Sequence, residues 1–116
     1  MSSSSVPHPL PDPLVELITE RFRVLSEPMR IRLLDRLREG EATVGELTAA
    51  AGGSQQNVSK HLGVLSSAGI LARERDGNFV RYRIIDPTIF ELCELVCGRL
   101  RDQSAEFGRA VAGAAR

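Results

Sequence analysis

A pair of adjacent glycines, Gly52-Gly53, is set between two segments of helical periodicity in "TVGELTAAAGGSQQNVSKHLGVL" (Thr43–Leu65). Upstream, Thr43 and Glu46 have the spacing of a capping box, in which each side chain satisfies a free N–H of the other's backbone. A short helix to about Ala51 is expected. The glycines then supply a sharp turn, Ser54 is a good N-cap, and Val58, Leu62 and Leu65 recur at i, i+4 and i+7 as one apolar stripe. The second helix is expected to run to about Ala68 and stop at Gly69. Two helices joined by a tight glycine turn form a helix-turn-helix unit.

The polar side of the second helix carries Gln55, Gln56, Asn57, Ser59 and Lys60, and no carboxylate. Amides and hydroxyls both donate and accept, and so match the edges of base pairs. Gln and Asn pair bidentately with adenine, Ser meets either kind of edge, and Lys reaches guanine or phosphate. The N-terminus of such a helix also offers free N–H groups to a phosphate. These five residues are therefore candidate DNA contacts. An ordinary solvated helix face is the competing reading.

The flanking segments complete an architecture. Leu14 to Leu25 has helical spacing through Leu14, Leu17, Ile18 and Leu25. A second helix to about Arg38 is expected to turn Met29, Leu33, Leu34 and Leu37 inward, with Ser26 as its cap and Pro28 in its first turn. Asp76-Gly77 lies between two β-prone runs in "ILARERDGNFVRYRII", a hairpin signal. Arg73, Arg75 and Arg81 in this ribbon are candidate contacts to DNA backbone or minor groove. A last helix starts near Thr88 and passes Leu100. The expected fold is mainly α with a small β-hairpin, a winged helix-turn-helix of order α-α-α-α-β-β-α. Residues 1–12 read as a flexible Ser- and Pro-rich arm, 13–104 as the winged domain with its dimerising first and last helices, and 105–116 as an Ala- and Gly-rich tail prone to fraying.

Charge is distributed in keeping with an anionic partner. The 116 residues have zero formal net charge, but residues 54–83 hold Lys60 and four arginines against Glu74 and Asp76. Sign asymmetry of this kind hints at nucleic acid. No apolar run is long enough to span a bilayer, and the start has no charged n-region followed by an apolar h-region, so a soluble cytoplasmic protein without a membrane partner is expected. No nucleophile–base pair, phosphate-cradling Gly-rich loop or HExxH is present, which argues against an enzyme.

The segments "LSEPMRIRLLDRL", "TVGELTAAAGGSQQNVSKHLGVLSSAGIL" and "RERDGNFVRYRI" resemble the ArsR/SmtB family of bacterial winged-helix repressors, over about Leu25 to Ile84. The resemblance implies a homodimer built on the first and last helices, a palindromic double-stranded operator, and an effector that changes DNA affinity. Family members that bind metal through a Cys-bearing motif carry it on the helix before the recognition helix. Here that segment is Val44-Gly45-Glu46-Leu47. Others bind zinc or nickel between the two last helices, with Asp, His, His and Glu. Asp86 matches, but the only histidines are His8 and His61. His61 reads as a structural or phosphate-contacting residue rather than a ligand.

Cys93 and Cys97 lie four apart on the last helix and share a face. As small apolar side chains they suit a dimer interface. As thiols they are candidate ligands for a soft metal ion or metalloid, or a site of oxidation. A bridge between them is disfavoured, because Cβ atoms four apart in a helix lie roughly 5–6 Å apart and a disulfide needs about 3.5–4.5 Å. Metal binding through them would call on the partner's cysteines, or on His8, Glu91 or Glu94. The cofactor is left open: a transition metal ion is one candidate, and two thiols alone do not settle its identity. Three functions follow: an effector-responsive operator-binding regulator, a thiol redox or metalloid sensor of the same fold, or a winged-helix protein-interaction module that has lost DNA contact.

Overall fold

The computed structural model describes residues 5–115, with side chains at 106, 107 and 110–115 outside that description. Met1–Ser4 of the expected arm and Arg116 of the expected tail fall outside it. Five helices and three strands follow in the order α1 (Asp12–Leu25), α2 (Pro28–Leu37), β1 (Ala42–Thr43), α3 (Val44–Ala51), α4 (Gln55–Ser67), β2 (Leu71–Asp76), β3 (Phe79–Ile84) and α5 (Thr88–Ala115). The chain divides into two units, residues 1–85 and 86–116.

In the first unit the helices are punctuated largely where the sequence places its caps. α1 begins at Asp12, whose carboxylate suits the positive end of the helix, with Pro13 in the first turn. Ser26 does not cap α2 as expected. It closes α1 instead, its N–H and its Oγ both donating to the Arg23 carbonyl (3.3 and 3.1 Å), while Glu27 is the residue before α2. The capping box forms: Glu46 N–H donates to Thr43 Oγ1 at 3.2 Å, and Thr43 N–H to Glu46 Oε1 at 2.8 Å. Ser54 caps α4, accepting from Asn57 N–H at 3.0 Å. The far end of α4 is a Schellman motif. Ile70 N–H donates to Leu65 O (3.1 Å) and Gly69 N–H to Ser66 O (3.0 Å), with Gly69 at φ +80°.

The core of this unit is assembled from Leu33, Leu34 and Leu37 of α2, Ala42 of β1, Leu47 of α3, Val58, Leu62 and Leu65 of α4, Ile70, Leu71 of β2 and Tyr82 of β3. The three α4 residues are fully buried. Each such side chain contributes roughly 1.5–3 kcal/mol by leaving water. α1 contributes little: Val24 is its buried residue, whereas Val15, Leu17 and Phe22 are exposed. Of the residues that gave α1 its helical spacing, Leu14, Ile18 and Leu25 are half-buried and Leu17 is exposed.

The sheet is antiparallel, in the order β1-β3-β2. The hairpin pairs Asp76 with Phe79, leaving Gly77-Asn78 as a two-residue loop. Gly77 has φ +63° while no non-glycine residue among those described has positive φ, which suits a type II′ turn with glycine first. The third strand is two residues long and pairs Ala42 with Tyr82 and Thr43 with Arg81. It adds a strand to the expected two-stranded ribbon and joins the ribbon to the residue that caps α3.

The second unit is one helix. Asp86 Oδ1 accepts from the N–H and hydroxyl of Thr88 (3.0 and 2.7 Å) and so holds its first turn. α5 then continues for 28 residues, through the segment read as a tail.

Candidate nucleic-acid interface

The geometry of α4 is set by its two faces and its two ends. Val58, Leu62 and Leu65 seat one face in the core, so Gln55, Gln56, Ser59 and Lys60 emerge on the other, all exposed, with Asn57 exposed beside them. The preceding turn fixes the approach of the helix. Gly52 and Gly53 both have φ +85°, a backbone region that disfavours any other residue. A Cβ at Gly53 would also lie 3.4 Å from Met29 Cε. With the Schellman motif at its far end, α4 is held in one attitude, its first turns outward.

The face is electrostatically simple. It presents four polar groups that donate and accept and one cation, with no carboxylate to repel phosphate. Glu46 of α3 is the acid whose state is perturbed. The bond from the Thr43 backbone N–H and the pairing with the Thr43 hydroxyl hold its carboxyl below its usual range, with Arg36 and Arg81 adding smaller pulls in the same direction.

The ribbon sorts its arginines onto two faces. Residues paired across an antiparallel ladder share a face, so Arg73 lies with Tyr82 and Arg75 with Val80, whereas Arg81 lies with Glu74. Arg73 and Arg75 are exposed. Arg81 is engaged: its Nε donates to Asp76 Oδ2 at 3.2 Å and lies 3.8 Å from Glu41 Oε1. Arg83 is a further exposed cation of the ribbon, signalled in the sequence by its alternation with Arg81. At the tip, Phe79 is 61 % exposed.

His61 is buried on the core side of α4, where its Nδ1 accepts from Arg30 Nε at 3.1 Å. It is a structural histidine. Arg30 itself escaped the sequence reading, since nothing local marks a pairing across 31 positions.

The residues of the family's common metal sites are a poor fit. No thiol lies in Val44–Leu47, and Asp86 is committed to Thr88. Among the described residues no group of three or more His, Cys, Asp or Glu could hold a metal ion. Cys93 is half-buried and Cys97 exposed, both on α5 and neither in a disulfide. Among the described residues no helix is long and apolar enough to cross a membrane.

Comparison with known proteins agrees with this geometry. A helix-turn-helix domain family matches residues 25–74. The uncharacterized HTH-type transcriptional regulator Rv0081 of Mycobacterium tuberculosis is 45 % identical over 82 residues, covering 70 % of this chain and 72 % of that protein. Its crystal structure superposes with a TM-score of 0.76 over 83 % of this chain and 97 % of that one, at 39 % identity. The probable mercury resistance operon repressor of Streptomyces lividans is 34 % identical over 105 residues, 90 % of this chain and 81 % of its own. The solution structure of Mb0332 from Mycobacterium bovis, a homodimeric winged helix-turn-helix DNA-binding domain, has a TM-score of 0.68 over 90 % of this chain and 92 % of that one, at 25 % identity. The helix-turn-helix, the wing and these relatives together establish that the chain belongs to the ArsR/SmtB family of winged helix-turn-helix transcriptional regulators, DNA-binding proteins rather than enzymes.

Proposed function

We propose that this chain acts as a homodimeric operator-binding repressor in which α4 reads the major groove and the wing holds the flanking backbone. One observation carries the reading. Gln55, Gln56, Asn57, Ser59 and Lys60 are all exposed, while Val58, Leu62 and Leu65 are fully buried, so the helix is fastened along its back and free along its front. In a helix-turn-helix the front of the second helix meets base edges. Gln55, Gln56, Asn57 and Ser59 supply base contacts, Lys60 a phosphate or guanine contact, and Arg73 and Arg75 phosphate contacts. Arg81 braces the wing and contributes less directly. The exposed apolar residues of α1 support a dimer, as does the homodimeric relative. Replacing Gln56 by Ala should relax base preference at one operator position by about 1–3 kcal/mol. A Gln56→Ala protein that keeps the full preference would remove Gln56 from the base-reading set.

The effector of this regulator is, in the same reading, a soft metal ion or metalloid held through Cys93 and Cys97. Their shared face on α5, the poor fit of the common family sites and the similarity to a probable mercury resistance operon repressor support it. The double variant Cys93→Ser, Cys97→Ser should bind operator normally and lose its response to a panel of soft metal ions. A double variant that still releases DNA like the wild type rules out the thiols. A response to a thiol oxidant alone would reassign them to redox sensing.

A further inference from the structure

His61 is a buried polar side chain. It projects from the recognition helix, and a buried polar group needs a partner. That partner is Arg30 of α2, whose Nε donates to His61 Nδ1 at 3.1 Å. An arginine N–H only donates, so Nδ1 carries a lone pair and the ring proton sits on Nε2. The same guanidinium reaches a third element. Arg30 Nη1 donates to the Val24 carbonyl at 2.9 Å. That carbonyl lies in the last turn of α1, where carbonyls lack intrahelical donors. The residue four positions on is Pro28, which has no N–H to give. The guanidinium also sets a positive charge at the negative end of α1.

We infer that Arg30 is a positioning residue for DNA reading, one guanidinium that ties the ring of His61 in α4 to the C-terminal end of α1. This rests on the reading of α4 as the groove-reading helix. The fold does not need the bridge for its core, because Val58, Leu62 and Leu65 already anchor α4. The bridge adds a fixed attitude. His61 lies one turn beyond Asn57 and next to Lys60, so a ring held at Nδ1 restrains rotation of the segment that carries the contacts. The attitude of the recognition helix thereby depends on where α1 ends. Lysine cannot substitute, since a single ammonium lacks the planar fork that spans two acceptors.

The test compares Arg30→Lys, His61→Phe, their double variant and His61→Gln, which keeps a side-chain acceptor. Affinity is measured for DNA upstream of the gene and for a scrambled duplex, well below every melting midpoint. Arg30→Lys and His61→Phe should each weaken upstream binding about tenfold, or about 1.4 kcal/mol, and leave scrambled binding unchanged. The double variant should be no worse than the weaker single, because both changes remove one interaction. His61→Gln should recover most of the loss. Ring 15N shifts should report an unprotonated Nδ1 and a protonated Nε2 in the wild type, and a mixture of tautomers in Arg30→Lys. Should Arg30→Lys fail to fold, His61→Phe makes the same comparison with the Val24 bond left in place. Unchanged upstream affinity in a folded single variant, or additive losses in the double, would overturn the inference. A wild-type protein without preference for upstream DNA would instead overturn the underlying reading of α4.

Discussion

The two faces of the wing separate arginines that look alike in sequence, and salt dependence distinguishes them. Arg75 is exposed on the face it shares with Val80. Arg81 lies between Asp76 (3.2 Å) and Glu41 (3.8 Å), with its side chain 36 % exposed. Each cation that neutralises a DNA phosphate contributes about 0.9 to the slope of log affinity against log salt. A dimer has two wings, so Arg75→Ala should flatten the slope by about 1.8. Between 50 and 200 mM salt that is a change of about 12-fold in how strongly salt weakens binding. Arg81→Ala should leave the slope close to wild type, because its charge is already shared with carboxylates of its own chain. Its loss should appear in stability, at the roughly 0.2–1 kcal/mol of an exposed ion pair. Fluorescence anisotropy titrations over that salt range, with melting curves alongside, measure both. Equal flattening by the two variants would refute the assignment, and a larger effect of Arg81→Ala would reverse it.

Three further outcomes test the scaffold. Ser54→Ala should cost about 1 kcal/mol through loss of the bond to Asn57 N–H, and Ser54→Gly only a few tenths; a melting order in which the Gly variant is the less stable would remove Ser54 as a cap. Leu62→Ala, at a fully buried site, should cost about 2–5 kcal/mol, read by denaturant unfolding, and a loss within 0.5 kcal/mol, about that of a neutral surface change, would show that α4 is not anchored there. Glu46 has a lowered pKa in the folded state, so its stabilising effect is present above the unfolded pKa and fades as pH falls through the folded value. Glu46→Gln should melt below wild type at neutral pH and converge with it in acid, and a gap that persists in acid would contradict the capping-box account.

The helix-turn-helix was legible because its signals are local. Thr43 and Glu46, Gly52-Gly53, Ser54 and the 58-62-65 stripe each act within a few residues, and each takes the expected role. β1 was not legible, since two residues are too few to show alternation and its pairing with Tyr82 and Arg81 is made at long range. Ser26 was assigned to the wrong helix for a related reason: a hydroxyl between two helices can serve either end, and here it closes α1. The exposure of Leu17 could not be read from periodicity, which places residues on a face without saying what covers it. Arg73, Arg75 and Arg81 read as equivalent cations until the ladder register put Arg81 beside Glu74 and Asp76. Arg30 and His61 became a pair only when α2 and α4 were packed together.

Sequence-specific DNA binding is measured by competition in about 150 mM salt, with labelled DNA from upstream of the gene displaced by unlabelled copies of itself or by a scrambled duplex of equal length and composition. Operator-reading proteins bind their sites roughly 10³-fold or more tighter than other DNA. The wild type should show at least that preference. Equal displacement by the two competitors would contradict it.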